Sequence, residues 1–204
     1  MLLVGLTGNY GTGKSTVLKM FRNLGAIAYD ADEIVASLLR EETVIKKIKN
    51  LLGDRVFRPD GGLDKKKVAS LIFAHAVLRH SLEDILHPQV FEKINHLLER
   101  EERKSNIVVV ETPLLFERNY EGGFQKIITV QTAQEEALER LEKKGVKRGE
   151  AIERIRSQLP LEEKASRSDF TINNNGTMEE TEQQVRDIYK KLMSKGHDGD
   201  CCRP

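Results

Sequence analysis

Gly8-Asn9-Tyr10-Gly11-Thr12-Gly13-Lys14-Ser15 carries the residue types that grip a polyphosphate, at the spacing G-x-x-x-x-G-K-[ST]. Glycines let a backbone approach phosphate oxygens closely and adopt positive φ at little steric cost. Successive N–H groups of such a loop line a concavity that suits an anion. A helix beginning at its end adds a partial positive charge. Lys14 can reach β- and γ-phosphates, and Ser15 can ligand Mg²⁺. Gly8, Gly11, Thr12, Gly13, Lys14, Ser15 and Thr16 are therefore the expected nucleotide contacts of this loop. A second group of chemically useful residues is Asp30-Ala31-Asp32, two acids that follow a short apolar run. Both sit close to the start of a helical pattern, so helix capping is the alternative to catalysis for each.

The elements around these residues fit the chemistry. Leu2-Leu3-Val4-Gly5-Leu6 reads as a buried strand, and Thr16 to Leu24 reads as a helix with apolar Val17, Leu18, Met20, Phe21 and Leu24. Strand, glycine loop and helix form the setting that this motif requires. Further strands are expected at Ala26–Tyr29, Asn106–Glu111, Lys126–Val130 and Phe170–Ile172. Helices are expected after Asp32, at Ala133–Lys144 and Arg148–Gln158, and from Met178 to Met193 with Thr177 as N-cap. The stretch Glu41 to Lys104 carries no strand signal. It reads as helical, with an amphipathic pattern from Leu63 to His80, an interruption at His87-Pro88 and a new helix over Val90–Leu98. Alternating strands and helices predict an α/β three-layer sandwich with a mainly parallel sheet and a helical insertion. Because ligands of such sheets bind beyond the carboxyl ends of the strands, the glycine loop and Asp30/Asp32 are expected to be neighbours.

Composition narrows the classes. The 204 residues suit one α/β domain with a subdomain, and the 39% hydrophobic and 32% charged content suits a globular core under an ionic surface. A net charge of +1 argues against bulk attraction to nucleic acid. No apolar run reaches 18 residues, and Met1-Leu2-Leu3 enters the first strand directly, so neither a membrane span nor a signal peptide is expected. Cys201 and Cys202, the only cysteines, adjoin one another in the tail Gly196–Pro204, which is expected to fray. A reduced, cytoplasmic enzyme is the expectation.

A glycine loop of this kind shows nucleotide binding and leaves the reaction open. A regulatory GTPase should carry N-K-x-D, which the chain lacks, and a motor ATPase usually ends a strand in paired acids, where this chain has Glu111-Thr112. Short length and a helical insertion after the second strand favour a small-molecule kinase resembling the nucleoside-monophosphate kinases. A nucleotide-dependent binding module without transfer is the non-enzymatic alternative.

Several segments, in order, resemble the dephospho-coenzyme A kinase family. Gly5-Leu6-Thr7-Gly8 through Lys14-Ser15-Thr16 is similar to its opening, and Asp30-Ala31-Asp32 to its D-A-D motif. Leu82-Glu83-Asp84-Ile85-Leu86-His87-Pro88 resembles L-E-x-I-x-H-P, and Glu111-Thr112-Pro113-Leu114-Leu115-Phe116-Glu117 resembles D-x-P-L-L-F-E. Gln134 with Arg140-Leu141, then Arg154-Ile155 with Gln158, resembles its lid; Asp169 with Asn173 to Gly176 resembles its A-D-x-x-x-x-N-x-G ending. The likeness spans residues 2 to about 192.

The resemblance implies transfer of the ATP γ-phosphoryl to the ribose 3′-hydroxyl of dephospho-CoA, the last step of coenzyme A synthesis. It implies ATP and dephospho-CoA as the partners, with Mg²⁺ accompanying ATP; a monomer is the separate expectation, with an oligomer as the alternative. Lys14, Asp32 and Arg140 become the implied catalytic residues, Asp32 orienting the hydroxyl and accepting its proton. Asn173 and Gly176 are implied to turn beneath the adenine, and Asp32, Lys65, His87 and Pro88 to contact the acceptor. Lys65 and either Lys143 or Lys144 stand where the family has arginine. Ser15, Asp30 and Glu111 are the implied metal-side oxygens, Glu111 replacing the usual aspartate. The implied division is a core of 1–35, 105–132 and 168–195, a CoA-side helical part of about 36–104 and a lid of about 133–167.

Overall fold

The computed structural model describes residues 1–100 and 106–195. The chain divides into two compact units, Met1–Asp30 with Lys104–Pro204, and Ala31–Arg103. The tail Gly196–Pro204 with Cys201 and Cys202 lies outside the described residues, as does the side chain of His87.

The first unit is built on a sheet of five strands: β1 (Leu2–Thr7), β2 (Ile27–Asp30), β3 (Ile107–Glu111), β4 (Lys126–Gln131) and β5 (Phe170–Asn173). All pairings are parallel, in the order β2-β3-β1-β4-β5. The expected α/β architecture is therefore present, with a fully parallel sheet. The β-branched run of β3 is buried at every position, as a strand covered on both faces requires. Val4 and Leu6 of β1, Ile107 and Val109 of β3, Ile128 and Val130 of β4 and Ile172 of β5 face one apolar cluster. That cluster is completed by α1 (Lys14–Asn23) through Val17, Leu18 and Phe21, and by α9 (Met178–Lys195) through Val185, Ile188 and Leu192. Gly5 points the other way, where an added Cβ would lie 2.6 Å from Leu115 Cδ1 and 3.1 Å from the Phe124 ring. The remaining helices are α6 (Gln134–Lys143), α7 (Arg148–Arg156) and α8 (Leu161–Ser166).

Thr177 caps α9 as the sequence predicts. Its Oγ1 accepts from the Glu180 N–H at 3.3 Å while Glu180 Oε2 accepts from the Thr177 N–H at 2.9 Å, a reciprocal capping box.

The second unit contains α2 (Ala31–Leu38), α3 (Glu42–Leu52), α4 (Lys65–Ala74) and α5 (Ala76–Arg100). Its buried side chains are apolar: Ile34, Leu38, Val44, Ile48, Leu52, Val56, Val68, Leu82 and Ile94. Asp64 caps α4, accepting from the Lys66 and Lys67 N–H groups. The expected break at His87-Pro88 does not occur. The break falls instead at His75, which adopts φ −132 and ψ 98, and α5 runs through Pro88 without ending. Proline removes one N–H from the helix ladder and crowds the preceding turn. There Gln89 Nε2 donates to the Ile85 carbonyl at 3.1 Å, a side-chain bond in the turn that Pro88 loosens.

Candidate active site

The loop between β1 and α1 takes the shape its glycines permit. Gly8, Gly11 and Gly13 have φ of 146, 86 and 92. At Gly13 any side chain would also collide with the Asn174 amide, and at Gly8 an added Cβ would lie 2.5 Å from the Val130 carbonyl oxygen. Both positions thus require glycine for conformation and for space. Inside the loop the Asn9 carbonyl accepts from Thr12 N at 3.3 Å, from Thr12 Oγ1 at 2.9 Å and from Lys14 Nζ at 3.0 Å. Lys14 is only 7% exposed, so its ammonium is held on the loop and not spread into solvent. Ser15 is exposed and Thr16 half-buried in the first turn of α1.

A second strand-to-helix connection closes over this loop. Asn174, buried just beyond β5, donates from Nδ2 to the Thr12 carbonyl at 2.8 Å and accepts at Oδ1 from the Thr181 hydroxyl at 2.9 Å. Its carbonyl accepts from Arg140 Nη2 at 2.7 Å and from Thr132 Oγ1 at 3.0 Å. Arg140 also meets Glu136 at 3.2 Å across one turn of α6. Its Nη1 lies 3.7 Å from where a Gly13 Cβ would stand, which puts the guanidinium beside the glycine loop. Asn173 and Gly176 flank Asn174 on the exposed side of the same turn.

At the carboxyl ends of β2 and β3, Asp30 and Glu111 are register partners, and Glu111 is in turn the register partner of Leu6 in β1. β3 therefore stands between the glycine loop's strand and Asp30, and Glu111 fills the interval. This refines the expected adjacency, because sheet order is not written in the sequence. Glu111 is buried and Asp30 half-buried. Neighbouring strands are about 4.8 Å apart, so two carboxylates side by side make an oxygen-rich edge of the kind Mg²⁺ accepts.

The sheet unit thus gathers the glycine loop, Arg140, Asn173–Gly176, Asp30 and Glu111. Asp32, Lys65, His87 and Pro88 belong to the helical unit. Asp32 lies exposed in the first turn of α2, two residues past the cap position, which Asp30 occupies directly before that helix. Lys65 and Pro88 are exposed on α4 and α5.

Sequence reasoning named Arg154 and Gln158 only through the lid resemblance, and it missed their contacts with the glycine loop as well as several other residues that tie this site together. Asn174 lay unremarked within the tract Asn173–Gly176. Tyr10 N–H donates to Gln158 Oε1 at 2.7 Å, Asn9 Nδ2 donates to the Leu159 carbonyl at 3.2 Å, and the Arg154 guanidinium stacks 4.2 Å from the Tyr10 ring centroid. Lys164 of α8 is fully buried. It pairs with Glu117 at 2.7 Å and donates to the Pro113 carbonyl at 3.1 Å. Burial pushes the Lys164 pKa below its ordinary 10.5, and the bond and charge of Glu117 oppose that shift. The P-L-L-F-E segment contained Glu117, but nothing local marked its partner.

The family model described as dephospho-CoA kinase matches residues 2–180. The chain is 34% identical to a dephospho-CoA kinase of Aquifex aeolicus over 193 residues, covering 94% of this chain and 98% of that one. It is 38% identical to a dephospho-CoA kinase of Bacillus cereus over 192 residues, covering 93% and 96%. A crystal structure from Thermus thermophilus superposes with a TM-score of 0.81 at 32% identity, covering 94% of this chain and 97% of that one.

Proposed function

The chain belongs to the dephospho-CoA kinase family of ATP-dependent phosphotransferases, and on that premise we propose how its own residues divide the work. The reaction moves the ATP γ-phosphoryl to the 3′-hydroxyl of dephospho-CoA. Phosphoryl transfer asks the protein mainly for alignment and for compensation of moving charge. The single observation that carries the assignment of roles is Lys14, buried and held on the Asn9 carbonyl inside a loop whose glycines admit no side chain.

In this reading Gly8 to Thr16 hold the triphosphate, and Lys14 faces its β- and γ-oxygens. Arg140, beside Gly13, adds a planar cation that can bridge phosphate oxygens in a way lysine cannot. Asn173 and Gly176 border the base. Asp32 accepts a hydrogen bond from the 3′-hydroxyl and takes its proton as that oxygen attacks phosphorus and the bond to ADP breaks. Lys65, His87 and Pro88 contact the acceptor, Lys65 supplying charge without a bidentate fork.

Ser15 and the carboxylates of Asp30 and Glu111 are the residues that would hold Mg²⁺, together with phosphate oxygens. The all-oxygen donor set and the register pairing of the two acids fit that ion. When bound, Mg²⁺ supplies charge neutralisation on the phosphates. Residues 1–35, 105–132 and 168–195 serve as the core, about 36–104 as the CoA-side part, and about 133–167 as a lid that excludes water. No helix among the described residues is long and apolar enough to cross a membrane. A reaction that consumes ATP suits the cytoplasm, and we take the acting species to be a monomer.

The experiment is an ADP-release assay with dephospho-CoA, AMP, CMP and gluconate as acceptors. Dephospho-CoA should support turnover well above the others. Faster turnover with a nucleoside monophosphate would overturn the acceptor assignment.

A further inference from the structure

We infer that Arg154–Leu159 is a positioning clip for the phosphate loop, which grips Asn9 and Tyr10 from outside and so sets the posture of Lys14. The inference rests on the reading of Lys14 as the residue that faces the transferred phosphoryl.

Two consecutive loop residues are held by this one segment. Tyr10 gives its backbone N–H to Gln158 Oε1 at 2.7 Å, and its ring lies under Arg154 at 4.2 Å. Asn9 gives its side-chain amide to the Leu159 carbonyl at 3.2 Å. The same Asn9 turns its own carbonyl inward, where it accepts Lys14 Nζ at 3.0 Å and Thr12 Oγ1 at 2.9 Å. One residue therefore faces the clip with its side chain and the lysine with its backbone. Asn9 is 7% exposed, so these bonds are sheltered from water.

The clip is itself anchored. Leu159 N–H donates to Glu117 Oε1 at 3.0 Å, and Glu117 pairs with the fully buried Lys164. A continuous polar path thus runs from Lys164 through Glu117, Leu159 and Asn9 to Lys14. Pro160 follows directly and fixes its own φ, which limits how far Leu159 can swing. A loop with three glycines at positive φ has many unfolded alternatives, and outside ties of this kind select one of them. Arg154 and Gln158 act through the loop and are positioning residues.

The test uses the full chain and four proteins: wild type, Gln158→Leu, Gln158→Glu and Asn9→Ala. Steady-state turnover with ATP and dephospho-CoA is measured beside hydrogen exchange at the Tyr10 amide. Gln158→Leu should lower kcat by about tenfold to a hundredfold, the scale on which small misplacements act, with the acceptor KM little changed. Its Tyr10 amide should exchange faster. Gln158→Glu keeps an acceptor oxygen and should recover most of kcat and of the protection. Asn9→Ala should lower kcat in the same way, and it carries the test if Gln158→Leu does not fold. Wild-type kcat in Gln158→Leu despite faster exchange at Tyr10 would overturn the inference, as would equal losses in Gln158→Leu and Gln158→Glu. Should wild type fail to phosphorylate dephospho-CoA, the functional reading falls. The clip is then judged by exchange alone, and a Tyr10 amide unmoved by Gln158→Leu refutes it.

Discussion

All the buried polar side chains among the described residues lie in the sheet unit: Thr7, Asn9, Thr12, Lys14, Glu111, Thr112, Thr129, Thr132, Lys164, Asn174 and Thr181. The helical unit has an apolar interior, and the residues proposed there for the acceptor, Asp32, Lys65 and Pro88, are exposed. The difference teaches where organisation is invested. Buried polar groups cost stability unless they are bonded, so a set of them bonded to one another fixes geometry in advance. In the sheet unit Asn9, Thr12, Lys14, Thr132, Asn174 and Thr181 form such a set. Asp32, Lys65 and Pro88, proposed for the acceptor, are exposed and contribute little to folding. Substitutions of bonded polar residues in the sheet unit should therefore affect stability as well as turnover, whereas those of exposed Asp32 and Lys65 should affect turnover with little effect on stability.

The largest effect belongs to Lys164→Met. Removing one partner of a buried pair leaves Glu117 charged and uncompensated, at a cost of about 3–5 kcal/mol in denaturant unfolding. The pH dependence has a definite sign. Because burial lowers the native pKa of Lys164 beneath 10.5, the unfolded chain retains a proton between the two values that the native chain has released. The native state then gains stability as pH rises through that window. Wild-type stability measured relative to Lys164→Met should accordingly climb as pH approaches 10.5 from below. A flat difference would mean that Glu117 fully offsets the effect of burial on Lys164.

Next in size is Asp32→Asn, which probes the other side of the contrast. Turnover should fall by about a hundredfold or more, the usual range for a general base. Stability should change by less than about 1 kcal/mol, the worth of one charge at the start of an exposed helix. Near-normal kcat would remove Asp32 from proton transfer. A large loss of stability would show that the helical unit also builds its site into its fold.

The same contrast explains what the sequence could disclose. The glycine loop, the strand Ile107–Glu111 and the Thr177–Glu180 capping box were legible because each is a local pattern, complete within a few residues. The family motifs added Asp32 and Arg140, which periodicity alone leaves as a helix start and a charged helix face. What stayed hidden depends on distant partners. Asn9 and Tyr10 meet Leu159 and Gln158 across 150 and 148 residues. Lys164 follows Glu162-Glu163 and reads as part of a solvated run, yet it is buried by the segment after β3. The six-residue α8 is too short for a periodic signal, and Pro88 stays inside α5 where the usual rule ends a helix.

Arg140 belongs to neither extreme, and its substitution sharpens the boundary. Its side chain is 33% exposed, while its Nη2 bonds the Asn174 carbonyl and the Glu136 carboxylate. The bond to Asn174 is structural, since Asn174 in turn holds the Thr12 carbonyl. The proximity of Nη1 to Gly13 is what a phosphate contact requires. Arg140→Ala should lower kcat by about tenfold, or roughly 1.4 kcal/mol of transition-state stabilisation, with a smaller change in ATP affinity. Its stability cost should be about 1 kcal/mol, limited by the exposure of the Glu136 pair. Arg140→Lys should recover little of kcat, because one ammonium cannot hold Asn174 and a phosphate oxygen together as a fork does. Kinetics and equilibrium ATP binding on the two variants separate the roles. An unchanged kcat with a raised KM would make Arg140 a uniform binding group. A recovered kcat in Arg140→Lys would mean that charge alone suffices beside the glycine loop.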